Sequence, residues 1–110
     1  MILGIYTVYD SAAKAHNTPF FLQTDEMAIR AFSANVNDPE SAMHQNPEHF
    51  TLYKLGEYMD LGAELEVYDD RVYLMGASQI KRDTETVKLD KLEADILYLT
   101  GLVNAIKEQN

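Results

Sequence analysis

A chain of 110 residues is the size of one domain, and 46% apolar with 25% charged residues is an ordinary globular balance. The absence of cysteine excludes disulfides and thiolate metal centres and suits a reducing compartment. A net charge of −9 excludes a broad basic surface that would hold nucleic acid through phosphates alone.

Residues 2–9, Ile-Leu-Gly-Ile-Tyr-Thr-Val-Tyr, are β-branched and aromatic and predict a first strand rather than a signal peptide. Asp10–Lys14 reads as a turn, and Thr18–Gln23 resumes extended structure with Pro19 at its start or edge. Thr24 is placed to cap a helix, with Asp25 and Glu26 at the positive end of its dipole. Ala28, Ile29, Phe32 and Val36 give that helix one apolar face, and Asn37-Asp38-Pro39 ends it. A polar connector follows, with a short helical turn expected at Ser41–Gln45. Phe50–Tyr58 reads as a strand in which Gly56 marks a bulge or bend. Ala63–Tyr68 and Arg71–Ser78 read as a hairpin turning at Asp69-Asp70, although the turn lacks the usual glycine.

After the polar run Lys81–Thr86, a C-terminal helix is predicted. Leu89, Leu92, Ile96, Leu99, Val103 and Ile106 form a heptad seam. Two readings stand: the helix packs on its own sheet, or it pairs with another subunit. Gly101 costs about 1 kcal/mol of helix stability, which points to close approach by another backbone. No segment has the roughly 18 apolar residues of a membrane span. The fold class is therefore α+β: a mainly antiparallel sheet of four or five strands, one inserted helix and a long C-terminal helix. Residues 1–82 form the sheet domain and residues 83–110 the helix.

Chemistry is sparse. His16, His44 and His49 do not share a ligand spacing and read as surface histidines, so neither metal nor cofactor is expected. No serine sits in a nucleophile elbow, the glycines are isolated, and the acidic pairs read as solvated charge. An enzyme is not expected. Seven tyrosines and four phenylalanines, mostly in predicted strands, could instead stack unpaired bases. The candidate residues are Tyr6, Tyr9 and Tyr53, accompanied by Lys14, Arg30 and Lys54. Residues 1–23 carry only Asp10 and Lys14, whereas residues 24–60 hold seven acids and two bases. Any contact with DNA is therefore expected to use the near-neutral N-terminal segment, with the rest of the molecule opposing it.

Ile5–Ala15, Pro19-Phe20-Phe21, Ala28–Phe32, Val36–Pro39 and Asn46–Tyr58 together resemble the small nonstructural protein of gokushoviruses, tailless single-stranded DNA phages of the microvirus family. The resemblance covers about the first 60 residues in order and spacing, and ends at Asp60. It implies a protein absent from the mature virion and active in the host bacterial cytoplasm. Some family members are labelled DNA-binding, and no catalytic motif is associated with them. The expected role is that of an accessory protein in viral DNA replication and the switch to single-strand synthesis and packaging. It would act by binding phage replication or packaging proteins, as a homodimer or higher homo-oligomer. The alternative is direct binding of single-stranded DNA through strand aromatics.

Overall fold

The computed structural model describes residues 1–82 and 92–101. Five strands form one antiparallel sheet: β1 (Ile2–Asp10), β2 (Ala15–His16), β3 (Phe20–Leu22), β4 (Phe50–Met59) and β5 (Glu64–Gly76). Strand β1 is central, with β2 and β3 along one edge and β4 then β5 along the other. The predicted class is thus the observed one. Helix α1 (Asp25–Val36) enters after β3; α2 (Ala42–Gln45), a 3-10 turn (Pro47–His49) and α3 (Ala77–Ile80) are short. Residues 92–101 form a further helix, α4.

Local chemistry explains these boundaries. The Thr24 hydroxyl accepts from the Met27 amide at 3.2 Å, and Ser41 caps α2 through the Met43 amide at 3.1 Å. Asp10 accepts from the amides of Ala12 and Ala13, which turns the chain from β1 into β2. Asn37 does more than end α1. Its side-chain amide donates to the Ile80 carbonyl at 3.1 Å and its oxygen accepts from the Arg82 amide at 2.6 Å. This clamps the end of α3 to the end of α1.

Helix α1 covers one face of the sheet, whereas on the other face Ile5 and Thr7 are buried at 6% and 1% exposure without it. Tyr6, Val8 and Leu52 pack against Ala28, Phe32 and Val36 of α1, and Ala77 of α3 closes the core. Phe32 is at its centre, where truncation to alanine typically costs about 3–5 kcal/mol. Because strand side chains alternate, inward Tyr6 and Val8 put Leu3, Ile5, Thr7 and Tyr9 on the opposite face. Among the described residues no helix packs there.

The predicted hairpin at Asp69-Asp70 is corrected. Residues 64–76 are a single strand, and the turn lies earlier, where Gly62 and Ala63 adopt φ values of +94° and +53°. Glycine adopts positive φ at no steric cost, which favours the turn at Gly62 over Asp69-Asp70, where no glycine stands. Residues 68–71 instead bulge out of the ladder, since Gly56 pairs with Val67 while Lys54 pairs with Val72. His44 also departs from expectation. It is 3% exposed, with its Nδ1 at 2.9 Å from the Val36 carbonyl, rather than on the surface.

Two glycines permit close approach. A Cβ on Gly4 would lie 2.2 Å from the Tyr6 hydroxyl, so the phenol lies across Gly4 on its way to α1. It reaches Asp25 at 2.6 Å, and Lys54 meets the same carboxylate at 3.2 Å and Glu57 at 3.7 Å. The Tyr6 hydrogen bond, reinforced by Lys54, holds Asp25 below its ordinary 3.8 despite partial burial. Burial and the Asp25 bond push the Tyr6 phenol well above its usual range. Burial disfavours charge on Lys54, yet Asp25 outweighs it and the net shift is upward.

Since folding lowers the Asp25 pKa, its contribution is complete above 3.8 and is lost as pH falls through the lower folded value. Tyr6→Phe should cost about 1 kcal/mol at neutral pH, because Asp25 is partly solvated, and should flatten the acid limb of a Tm-against-pH curve. A Cβ at Gly56 would fall 2.0 Å from the Glu66 carbonyl oxygen. Gly56→Ala should therefore cost about 1–3 kcal/mol in chemical denaturation, more than an alanine placed on an exposed strand position.

Candidate functional site

The uncovered sheet face carries the concentration of aromatic side chains best placed to meet a ligand. Ladder pairing brings Thr7 opposite Tyr53 and Tyr53 opposite Tyr73, while Tyr9 pairs with His16. The rings form a continuous path. Tyr9 and His16 have centroids 4.7 Å apart, His16 and Tyr53 6.3 Å, and Tyr53 and Tyr73 6.3 Å. The last two contacts are edge-on, a favoured geometry for aromatic quadrupoles.

Arg71 crosses this path because the β5 bulge lifts it over the sheet. Its guanidinium lies 4.6 Å from the Tyr53 ring centroid and 5.3 Å from that of Tyr9. Arg71 Nη1 donates to His16 Nε2 at 3.1 Å, which places the proton of a neutral imidazole on Nδ1. Sequence reading missed Arg71, His16 and Tyr73 as site residues. Charge alone did not distinguish Arg71, because its position depends on a bulge with no glycine to announce it.

The other end of the same face is apolar. Leu3, Phe21, Tyr58 and Leu65 line a depression of about 430 Å³, and Phe21, Leu65 and Val67 are strongly exposed. Phe21 and Tyr58 meet edge-on at 5.9 Å. Between the two ends, the bulge walls a cleft of about 730 Å³, lined by Thr7, Asn17, Leu55, Asp69, Asp70 and Arg71 among others. The Thr7 hydroxyl donates to the Asn17 carbonyl at 2.9 Å and fixes the cleft floor. Tyr68, on its wall, is raised by burial and by its hydrogen bond to Glu57.

Charge is segregated by strand alternation. No paired ladder position on the open face carries a carboxylate, because Glu57 and Glu66 take the alternate register positions shared with Gly4. Asp69 and Asp70 stand at its border, on the bulge. The locally neutral surface expected from the sequence is therefore a sheet face rather than an N-terminal segment.

The predicted candidates divide accordingly. Tyr9 and Tyr53 come together on this face, and Lys14 is exposed in the turn beside Tyr9 and His16. Tyr6 is corrected: it is 0% exposed and bonded to Asp25, so its ring cannot stack on a ligand. Lys54 is likewise occupied by Asp25 and Glu57 on the covered face. Arg30 lies on α1, in a groove of about 720 Å³ with Glu26, Asn37 and Arg82, on the far side of the sheet.

Of the heptad seam, Leu92, Ile96 and Leu99 lie in α4 and are more than half exposed, as are Leu97 and Tyr98. Leu89, Val103 and Ile106 lie outside the described residues. No atom outside the helix's own backbone lies within 4 Å of a Cβ built on Gly101, so the described residues supply no close-packed neighbour there. Among the described residues, no three histidines or carboxylates converge as a metal site, and no helix is long and apolar enough to cross a membrane.

A family model described as Phage ORF5 protein matches residues 3–80. The chain belongs to that family. The match runs past Asp60, where the resemblance drawn from sequence ended, and takes in β5, its bulge and α3. It thus includes every residue of the aromatic path. No curated protein and no solved structure matches the chain.

Proposed function

We propose that this member of a phage protein family is a non-enzymatic accessory factor that holds single-stranded DNA on the open face of its sheet. The observation that carries this reading is the path Tyr9–His16–Tyr53–Tyr73 crossed by Arg71, on a face whose ladder positions hold no carboxylate. Bases stack on exposed rings and on guanidinium planes without regard to sequence, each contact contributing about 1–3 kcal/mol. The setting that fits is the host bacterial cytoplasm during viral replication and the switch to single-strand synthesis and packaging, with a gokushovirus as the source.

The net charge of −9 restricts how the strand is held. With Arg71 and Lys14 as the cations near the path, about two phosphates are neutralised, and a single strand then gives a salt slope of about −1.4. Stacking, not counterion release, supplies the affinity. Fluorescence anisotropy with a labelled oligonucleotide at low salt should show binding, weakened roughly tenfold by Tyr73→Ala and by Tyr53→Ala with the thermal transition retained. A slope of about −4 or steeper, or unchanged affinity in both variants, would overturn this reading.

A second reading, docking on phage replication or packaging proteins as a homodimer, is favoured by exposed apolar surface. Leu92, Ile96 and Leu99 share one side of α4, and Leu97 and Tyr98 leave little of that helix polar. A helix apolar on most sides is stable when buried. In this reading the seam is the subunit contact and the apolar end of the sheet meets the partner. Sedimentation of the full chain should give a dimer that Ile96→Asp converts to monomer. A monomeric wild-type chain would remove the seam as an interface.

A further inference from the structure

We propose that the apolar end of the open sheet face docks helix α4 of a second copy of this chain, so that two molecules exchange helices. The inference rests on the dimer reading above and joins its two surfaces, since the seam of each copy meets the sheet of the other. The aromatic path lies at the far end of the same face and is left open.

Strand register builds the docking surface. Leu3, Tyr58 and Leu65 form one cross-strand row, and Phe21, Ile5 and Val67 form the next, with no carboxylate in either. Phe21 is 47% exposed, Leu65 62% and Val67 70%. A contiguous apolar patch of this kind marks an interaction site. Its occupant is found in the same chain. Leu92, Ile96 and Leu99 make a stripe about 10 Å long on one side of α4, and each is more than half exposed. The patch crosses four strands spaced about 4.8 Å apart and is thus about 14 Å wide, so the stripe fits across it. Glu93 and Asp95 of α4 meet no like charge in those two rows, whereas Asp25 and Glu26 on α1 repel them from the other face.

The path of the chain favours a second copy over the helix's own sheet. The Arg82 amide is bonded to Asn37 at the end of α1, on the covered face. It follows closely on Gly76, which stands level with Tyr9 through Thr51, about 20 Å along β1 from Leu3. The chain therefore leaves the sheet domain at the opposite end, and on the opposite face, from the apolar patch. The ten steps from Arg82 to Leu92 span at most about 35 Å. To reach its own patch, α4 would need that link pulled nearly straight around the sheet. A copy related by a two-fold axis presents its patch without that constraint, and receives the reciprocal contact.

Sedimentation equilibrium of the full chain and three variants provides the test. The wild-type chain should dimerise. Leu65→Asp, at a position exposed on the sheet, should weaken dimerisation at least about tenfold while the thermal transition is retained, because a buried carboxylate would lack a partner. Ile96→Asp should do the same from the helix side. Combining the two should cost little more than the larger single loss, since both remove one and the same contact. A dimer that Leu65→Asp leaves intact, or two losses that multiply in the double variant, overturns the exchange and leaves the dimer reading standing with the seam meeting itself. A monomeric wild-type chain removes both.

Discussion

The phenol of Tyr6 passes over Gly4 and donates to Asp25 at the start of α1, and this contact orients the whole sheet. A strand has a side-chain period of two, so committing Tyr6 to the covered face commits Leu3, Ile5, Thr7 and Tyr9 to the other. Slipping the register by one residue would bury Tyr9 and expose Tyr6, exchanging the core for the aromatic path. Lys54 strengthens the junction from β4, so two adjacent strands are tied to the same carboxylate. Core and candidate site are two consequences of one register.

The same alternation solves an electrostatic difficulty. A chain with a net charge of −9 repels polyphosphate if its acids are evenly spread. Here the strand acids Glu57 and Glu66 share the face of Tyr6 and Lys54, and Asp25 and Glu26 sit on α1. What remains on the open face is aromatic, aliphatic and hydroxyl-bearing. Its attraction for a ligand is short-ranged, so contact geometry outweighs long-range steering in deciding what binds.

The bulge in β5 adds the function-bearing detail. Extra residues opposite Leu55 leave the ladder between Val67 and Val72, carry Arg71 onto the Tyr9 and Tyr53 rings, and raise Asp69 and Asp70 around a cleft. Bulges re-aim side chains in this way and are frequent at sheet edges. Here β5 is the edge strand, and the acids of the bulge also discourage a second sheet from pairing along it.

Much of the fold was legible in the sequence because it follows from local chemistry. The first strand, the Thr24 cap, the apolar face of α1, the short helix after Ser41 and the bend at Gly56 all announce themselves through neighbours a few residues apart. The sequence also determined the acidic balance and the absence of thiol chemistry. Tertiary structure alone decided which aromatic rings are buried and which are offered. Tyr6 and Tyr9 look alike in sequence, and only the docking of α1 sends one inward and the other out. It also turned an expected hairpin into one bulged strand, because β4 is long enough to pair with both halves of β5. Placing Arg71 beside Tyr9, His16 and Tyr53 requires β4 and β5 to meet the distant pair β1 and β2, and no local pattern encodes that meeting.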